Sequence, residues 1–156
     1  MSNPHRMIVS AIVAAMLAVP SLGTARQPHV AAMGDLMTAF VQPRHIKLGL
    51  AGMAQNWTYA GYELDQLRET FADVAEIMPK YRDLSIPDMI DATVRKPLAA
   101  IDQAVKAKDF GQFTIAYRRL TAACNDCHKS YDRAMIIIQP PVGGIFSDQD
   151  FQPPKQ

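Results

Sequence analysis

Apolar positions along most of the chain repeat with the period of an α-helix. Between Ala60 and Met78 successive apolar residues are four, three, four, three and four positions apart. This spacing forms one stripe along a helix and predicts that the stripe is buried. A similar stripe runs from Phe113 to Cys127. The charged residues that we expect on the other faces of the first of these helices are Glu63, Asp65, Arg68, Glu69, Asp73 and Glu76.

Periodicity, proline positions and capping residues together predict an all-α fold. Ser85 and Asp109 are expected to cap two helices, and Pro97 is expected to kink or interrupt one near Arg95. No strand is predicted before residue 134, and the segment 30–40 also has a helical pattern. Short connections favour antiparallel neighbours, so the expected architecture is an antiparallel four-helix bundle. Its main helices are predicted at about 43–56, 58–78, 87–107 and 109–132.

The sequence after residue 133 has a different character. Three consecutive isoleucines at 136–138 favour an extended chain, which we expect over residues 134–139. The prolines and glycines that follow argue against regular structure. We therefore expect a bundle domain over 26–139 and a loose, extended C-terminal tail over 140–156.

The N-terminus has the pattern of a secretory signal peptide. An uncharged apolar run from Ile8 to Val19 follows a short polar start that contains Arg6. Small residues lead up to Ala25, where cleavage is predicted. The run is shorter than the ~20 residues that a membrane-spanning helix needs. We therefore expect residues 1–25 to be removed, and the mature protein to be periplasmic without a membrane anchor.

Net charge narrows the choice of partner. The chain has 16 basic and 15 acidic side chains. Arg6 is the only charged residue among the first 25, so 15 of each sign would remain after cleavage. Nucleic-acid binding demands a basic excess, which this balance does not provide. We expect no nucleic-acid partner.

Both cysteines lie in the segment TAACNDCHKSYD, where His128 directly follows Cys127. The arrangement Cys-x-x-Cys-His is the attachment motif of a c-type haem. Each thiol can form a thioether with one vinyl group of the porphyrin, and the histidine presents a ring nitrogen to the iron. One covalent haem c is predicted, held by Cys124 and Cys127, with His128 as the proximal ligand.

Other uses of a cysteine pair fit less well. A thioredoxin-like pair needs a βαβ setting, which the helical pattern does not offer. A structural zinc site needs four clustered ligands, and the mature chain has only His29 and His45 as further histidines. A disulfide is the ordinary use of cysteines in an exported protein, but it leaves the adjacent histidine unexplained.

A single motif of this kind on the last helix of an exported helical bundle resembles the class II cytochromes c. This family comprises cytochrome c-prime and its low-spin relatives, and the resemblance covers residues 43–133. Tyr131 matches an aromatic residue that is common three places after the histidine in the family. Asp132 departs from the basic residue that is common next to it, and Arg133 follows instead. The low-spin relatives imply a sixth ligand from the first bundle helix, usually a methionine.

His45 is predicted as that sixth, distal ligand. It lies about where the family's methionine lies, and it shares a helical stripe with Gly49, Gly52 and Asn56. Glycine inside a helix costs ~1 kcal/mol relative to alanine, and a porphyrin pressed against the helix would explain two of them. An iron with no sixth protein ligand is also left open. The other candidates are Met53 and then His29 or Met33.

The expected function is electron transfer by a mono-haem cytochrome, not enzymatic catalysis. Its partner would be a redox protein whose identity the sequence does not give, and a homodimer is left open. One alternative is a cytochrome that binds nitric oxide or carbon monoxide at an open iron. Another is a haem peroxidase in which His45 acts as an acid–base group. Arg44 and Lys47 are interpreted as exposed charges, with pairing to haem propionates as the alternative.

Overall fold

The computed structural model describes residues 32–143, 146 and 148–154, most of which are helical. The predicted signal peptide, with its cleavage site, and His29 lie outside the described residues. In chain order the helices are α1 (Met33–Leu36), a π-helical turn (Met37–Val41), α2 (Gln42–Met53), α3 (Trp57–Ile77), α4 (Ile86–Ala107) and α5 (Phe110–Ser130). Helix α4 packs on α5 and α3, and α2 packs on α3 and α5.

The prediction that no strand precedes residue 134 is wrong. Strand β1 (Lys80–Tyr81) pairs antiparallel with β2 (Leu84–Ser85) in a small hairpin between α3 and α4. Arg82 in its turn has a left-handed backbone, with φ of 54°. Strands of two residues are too short to show an alternating pattern, so the sequence carried no usable signal for them.

Side-chain caps fix where the long helices begin. The Asp109 carboxylate accepts a hydrogen bond from the Gln112 backbone N–H at 2.9 Å, and the Ser85 hydroxyl accepts one from the Asp88 N–H at 3.4 Å. Both predicted caps are therefore confirmed. Asn56 caps α3 in the same way, accepting from the Tyr59 N–H at 3.2 Å. Because Asn56 is used as a cap, the first long helix ends at Met53 and not at residue 56.

Helical structure is continuous from Met33 to Met53, so the predicted start at residue 43 is ten residues late. Pro43 has no N–H to donate to the carbonyl of Ala39. The turn before it is wider than an α-turn, and the Gln42 N–H donates to the carbonyl of Met37, five residues back. The π-helical turn thus accommodates the proline without ending the helix.

Helix α4 passes through Pro97 without a break, contrary to an interruption near Arg95. Val94, Leu98 and Ile101 are buried on either side of the proline. Tertiary burial of this apolar face outweighs the loss of one backbone hydrogen bond, which is why the helix continues.

The core is built from the two predicted stripes. Phe113, Tyr117 and Leu120 of α5 are fully buried, and Met78 is partly buried against the core. The predicted stripe of α3 is confirmed as buried at Ala60, Leu64, Leu67, Phe71 and Val74.

Glu63 corrects the polar face of α3. Its side chain is only 1% exposed, although the helical pattern placed it outward. The Arg44 guanidinium lies 3.2 Å from its carboxylate and pairs with it. Arg44 is therefore paired, and the expectation that it is a free surface charge is wrong. A buried carboxylate is tolerated here because the cation neutralises it.

The C-terminal segment is packed, where the sequence suggested a loose tail. Its described residues form neither helix nor strand. The carbonyl of Gln152 accepts a hydrogen bond from the Asn56 side chain at 3.1 Å, and the Phe151 ring lies 5.7 Å from that of Tyr59. Specific contacts with α3 hold the segment in place despite its lack of regular structure.

Candidate haem site

The last two turns of α5 place the whole Cys-x-x-Cys-His motif against one cavity of about 200 Å³. Helical spacing brings Cys124, Cys127 and His128 to the same wall, as predicted from residues three and four apart. The cavity is lined mainly by aliphatic, methionine and aromatic side chains. Its other walls come from the segment around α1, from α2, from the start of α4 and from Ile136 and Ile138.

The two cysteines are free thiols. Burial raises the pKa of the Cys124 thiol to about 12, and burial also raises the pKa of Cys127. Redox-active cysteines need the opposite environment, which lowers the thiol pKa and exposes a thiolate. The site therefore does not favour a thiol–disulfide oxidoreductase.

The His128 imidazole is oriented by the backbone. Its Nδ1–H donates to the carbonyl oxygen of Ile136 at 2.8 Å. This hydrogen bond assigns the proton to Nδ1 and leaves the lone pair on Nε2 for a metal, as is usual for metal-ligating histidines. The donor set of two thiols and one imidazole on an apolar cavity fits a covalently attached haem.

Tyr131 adds an independent indication of a bound group. Its side chain borders the cavity and is buried, with its ring 5.6 Å from that of Tyr81. The hydroxyl has no hydrogen-bond partner among the described residues. A buried hydroxyl without a partner is rare and indicates an ordered water or a bound group. A haem bound in this cavity would offer one such partner at its polar edge.

His45 borders the same cavity but is held by a hydrogen-bond network with α5. Its Nδ1 lies 3.1 Å from the Tyr117 hydroxyl, and its Nε2 lies 3.1 Å from the Thr121 hydroxyl. The Tyr117 hydroxyl also donates to the His45 carbonyl at 2.8 Å, and the Thr121 hydroxyl donates to the Tyr117 carbonyl at 3.0 Å. The network links α2 to α5.

Counting protons shows which form of His45 could ligate a metal. Each hydroxyl carries one proton, and the neutral ring carries one. If the ring proton is on Nδ1, it donates to Tyr117, and both hydroxyls donate to backbone carbonyls. Nε2 then has a lone pair, but this lone pair faces the Thr121 hydroxyl oxygen 3.1 Å away with no proton between the two atoms, so Nε2 can bind a metal only if it leaves this contact. Burial lowers the pKa of His45 to about 4, so the ring is neutral near pH 7.

The glycines next to His45 do not lie against a porphyrin. A Cβ on Gly49 would lie 2.5 Å from the Tyr117 hydroxyl oxygen, and a Cβ on Gly52 would overlap the Phe113 ring. Both glycines therefore allow α2 to approach the aromatic side chains of α5. This corrects the reason given for them from the helical stripe, and it removes one support for His45 as a ligand.

The methionines are distributed differently from the sequence expectation. Met53 is 36% exposed and does not border the cavity. Met33, the third choice from sequence, does border it, together with Met37 and Met89. The sequence interpretation missed the last two. The four-residue spacing of Met33 and Met37 was the available signal, since it puts both on one face of a helix.

Other cations and aromatic residues near the motif have defined partners. Lys47 lies over the Phe146 ring, 4.8 Å from its centroid, and Trp57 packs edge-on against Phe113. The cation that borders the cavity is Arg133, which donates to the Tyr81 hydroxyl at 3.0 Å. Neither Arg44 nor Lys47, for which pairing with haem propionates was the alternative interpretation, borders this cavity.

Comparison with known proteins gave no match to a protein-family model, to a curated protein or to a solved structure. Within the described residues, no helix combines the length and apolar character needed to cross a membrane. The same part of the chain contains no group of three or more His, Cys, Asp or Glu side chains arranged to hold a metal ion. The interpretation of the site therefore depends on its own chemistry.

Proposed function

We propose that this protein is a periplasmic mono-haem c-type cytochrome that transfers electrons. The observation that carries the proposal is the arrangement of both thiols and an oriented imidazole on one apolar cavity. Cys124 and Cys127 would hold the haem through thioethers, and Nε2 of His128 would bind its iron. The bound haem would supply one-electron exchange.

The protein's own contribution is to bury the group and limit its contact with water. An apolar surround and axial ligation set the reduction potential of a haem. Methionine, isoleucine, valine and aromatic side chains form most of the walls. A rigid, apolar site of this kind favours electron transfer, because little needs to rearrange when the charge on the iron changes.

A haem peroxidase is less well supported. Such an enzyme needs an acid–base group next to an open iron. No Asp or Glu is among the described residues that line the cavity. His45 is the remaining distal candidate, and its ring is neutral and bonded to Tyr117 and Thr121.

His45 stays our prediction for the sixth ligand, in the tautomer that carries its proton on Nδ1, with Nε2 exchanging its contact with Thr121 for the iron. Tyr117 would then orient the ring, as hydrogen-bonded outer groups do in metal sites. Met33, Met37 and Met89 offer thioether sulphurs at the same cavity. An iron left open would instead favour binding of nitric oxide or carbon monoxide.

The proposal includes an antiparallel four-helix bundle of the class II cytochrome type. The late position of the motif, on the last long helix, is the feature that supports this assignment. Tyr131 at the cavity agrees with the aromatic residue common in that family. Export through residues 1–25 is part of the same proposal, because haem c is attached outside the cytoplasm.

The first test is the mass of the protein produced with a periplasmic haem-attachment system. We expect apoprotein plus one haem, retained after denaturation, with an N-terminus at Arg26. The variant Cys124→Ala with Cys127→Ala should lack covalent haem. A wild-type protein without haem, or with haem that acid-acetone extracts, would refute the proposal.

The second test is the visible spectrum with and without carbon monoxide. If His45 ligates the iron, wild type is low spin and unaffected by carbon monoxide, whereas His45→Ala is high spin and binds it. Met37→Ala and Met89→Ala test whether a methionine sulphur is the sixth ligand. Met53→Ala is the matched control, because Met53 is exposed. A wild type that is already high spin and binds carbon monoxide would support the gas-binding function instead.

A further inference from the structure

The segment that follows α5 returns across the end of the motif as a strap, residues 133–138. One end is fixed to α5, since the Arg133 N–H donates to the His128 carbonyl at 2.8 Å. A turn follows in which the Ile136 N–H donates to the Arg133 carbonyl at 2.8 Å. The strap is thus anchored directly after the helix and brings its isoleucines to the cavity.

Asn125, inside the Cys-x-x-Cys-His motif, fixes the other end of the strap. Its side-chain NH₂ donates to the Ile138 carbonyl at 2.8 Å. Its side-chain oxygen accepts from the Ile138 N–H at 2.7 Å. The amide thereby satisfies both backbone groups of one residue, which sets the position and direction of the chain there.

The acceptor for His128 lies between these two anchors. The Ile136 carbonyl receives the His128 Nδ1–H at 2.8 Å and is two residues from the Asn125 clamp. The Ile136 side chain is 47% exposed, so this contact lies near the surface. Without the clamp, water would compete with the carbonyl for the imidazole proton.

We propose that Asn125 is a positioning residue that controls the proximal imidazole through the strap. The inference rests on the proposed haem function. A fixed carbonyl on Nδ1–H makes Nε2 a stronger electron donor to a metal. Stronger donation stabilises ferric over ferrous iron, so the intact clamp lowers the reduction potential. Asn125, one of the two residues between the cysteines, is therefore part of the means by which this chain sets its potential.

The test compares two changes that release the strap without altering net charge. Asn125→Leu removes both side-chain hydrogen bonds, and Ile138→Pro removes the N–H that Asn125 accepts. Asp126→Glu and Ile137→Ala are the matched controls, because Asp126 pairs with Lys129 at the surface and the Ile137 side chain is exposed. Asn125→Asp keeps the acceptor and loses the donor.

We expect the reduction potential to rise in Asn125→Leu and Ile138→Pro. The iron–histidine stretching frequency is measured in the ferrous, five-coordinate His45→Ala background, and both changes should lower it there. Asn125→Asp adds a charge that would itself change the potential, so it is compared by the stretching frequency alone. Its frequency should lie between those of wild type and Asn125→Leu. Both controls should match wild type. Amide exchange of Ile138 monitors the clamp directly and should become faster in Asn125→Leu. Unchanged potentials after Ile138 has lost protection would overturn the inference, and so would retained protection in Asn125→Leu.

A failure of the Asn125 inference can be distinguished from a failure of the proposed function. Covalent haem content is measured by mass in every variant, and its absence from wild type refutes both the haem and its tuning by Asn125. The clamp itself is then judged in the haem-free chain. There, nitrogen NMR should find the His128 proton on Nδ1 in wild type. A mixture of tautomers in Asn125→Leu would show that Asn125 positions the imidazole.

Discussion

At the residue scale, the His45 side chain combines ring stacking with two polar contacts to α5. Its ring stacks on Tyr117 with centroids 4.8 Å apart, and both of its nitrogens lie within hydrogen-bond distance of a hydroxyl. The sequence pointed to this residue because it shares a helical stripe with two glycines and lies about where the low-spin relatives have their ligand. It could not show Tyr117 and Thr121, which lie 72 and 76 positions away.

The lowered pKa of His45 predicts a pH dependence of stability. Burial moves its pKa from 6.5 to about 4, so between these values the unfolded chain binds more protons than the folded chain. The free energy of unfolding therefore falls as pH falls from about 6.5 and levels off below about 4. At ~1.4 kcal/mol per unit, wild type should lose about 2 kcal/mol between pH 7 and pH 5 from this group.

Urea denaturation of haem-free wild type and haem-free His45→Gln at both pH values measures this contribution. Carboxylates titrate in both proteins, so the relevant quantity is the difference between the two changes. Glutamine retains polar contacts but does not titrate. Equal losses in the two proteins would mean that His45 is protonated as easily in the folded state as in the unfolded one.

At the scale of elements, close approach of α2 and α5 is the feature that positions the site. Gly49 and Gly52 lie under Tyr117 and Phe113, and Phe113 in turn stacks on Tyr117 with centroids 5.8 Å apart. Any side chain at these two positions would separate the helices. The polar network of His45 depends on the same short distance.

A pair of glycine substitutions tests this packing. Gly52→Ala places a Cβ on the Phe113 ring, and we expect a loss of ~1–3 kcal/mol from overpacking. Gly61→Ala, within α3, places its Cβ 3.6 Å from Val105, which is an ordinary contact. It should gain up to ~1 kcal/mol from helix propensity. Thermal or urea unfolding at pH 7 gives both values.

We therefore expect Gly52→Ala to lower the free energy of unfolding and Gly61→Ala to raise it. If both variants gain stability, α2 and α5 are not in close contact at Gly52. The result is independent of haem, because Gly52 and Gly61 do not border the cavity.

At the scale of the whole molecule, the C-terminal segment acts as part of the fold. Pro141 contacts the surface of α2 next to Gly49, the Phe146 ring lies under Lys47, and Phe151 is partly buried against the core. The segment thus runs along α2 and α3 after passing the cavity as the strap. Its prolines restrict the conformations of the unfolded chain, which reduces the entropy lost when the segment becomes ordered.

Phe151→Ala should therefore lower the free energy of unfolding by ~1–3 kcal/mol, in the range of a substitution that removes buried contacts. Phe151 lies 5.7 Å from Tyr59 and 6.5 Å from Phe146, ring to ring. Val142→Ala is the control, since Val142 is exposed and is not a proline. The same unfolding assay applies, and equal stability of the two variants would show that the segment is not docked in solution.

The sequence by itself determined most of the helices, the buried stripes of α3 and α5 and the Cys-x-x-Cys-His spacing. These are local properties, set by helical periodicity, capping and the spacing of a few side chains. Tertiary structure decided the interactions between residues that are distant in sequence. These are the ion pair of Arg44 with Glu63, the hydrogen bonds of His45 with Tyr117 and Thr121, and the hydrogen bond of His128 with the Ile136 carbonyl. Pattern alone made Glu63 an exposed charge and the C-terminus a loose tail, because the energy of a buried ion pair or a docked loop resides in partners that periodicity does not encode.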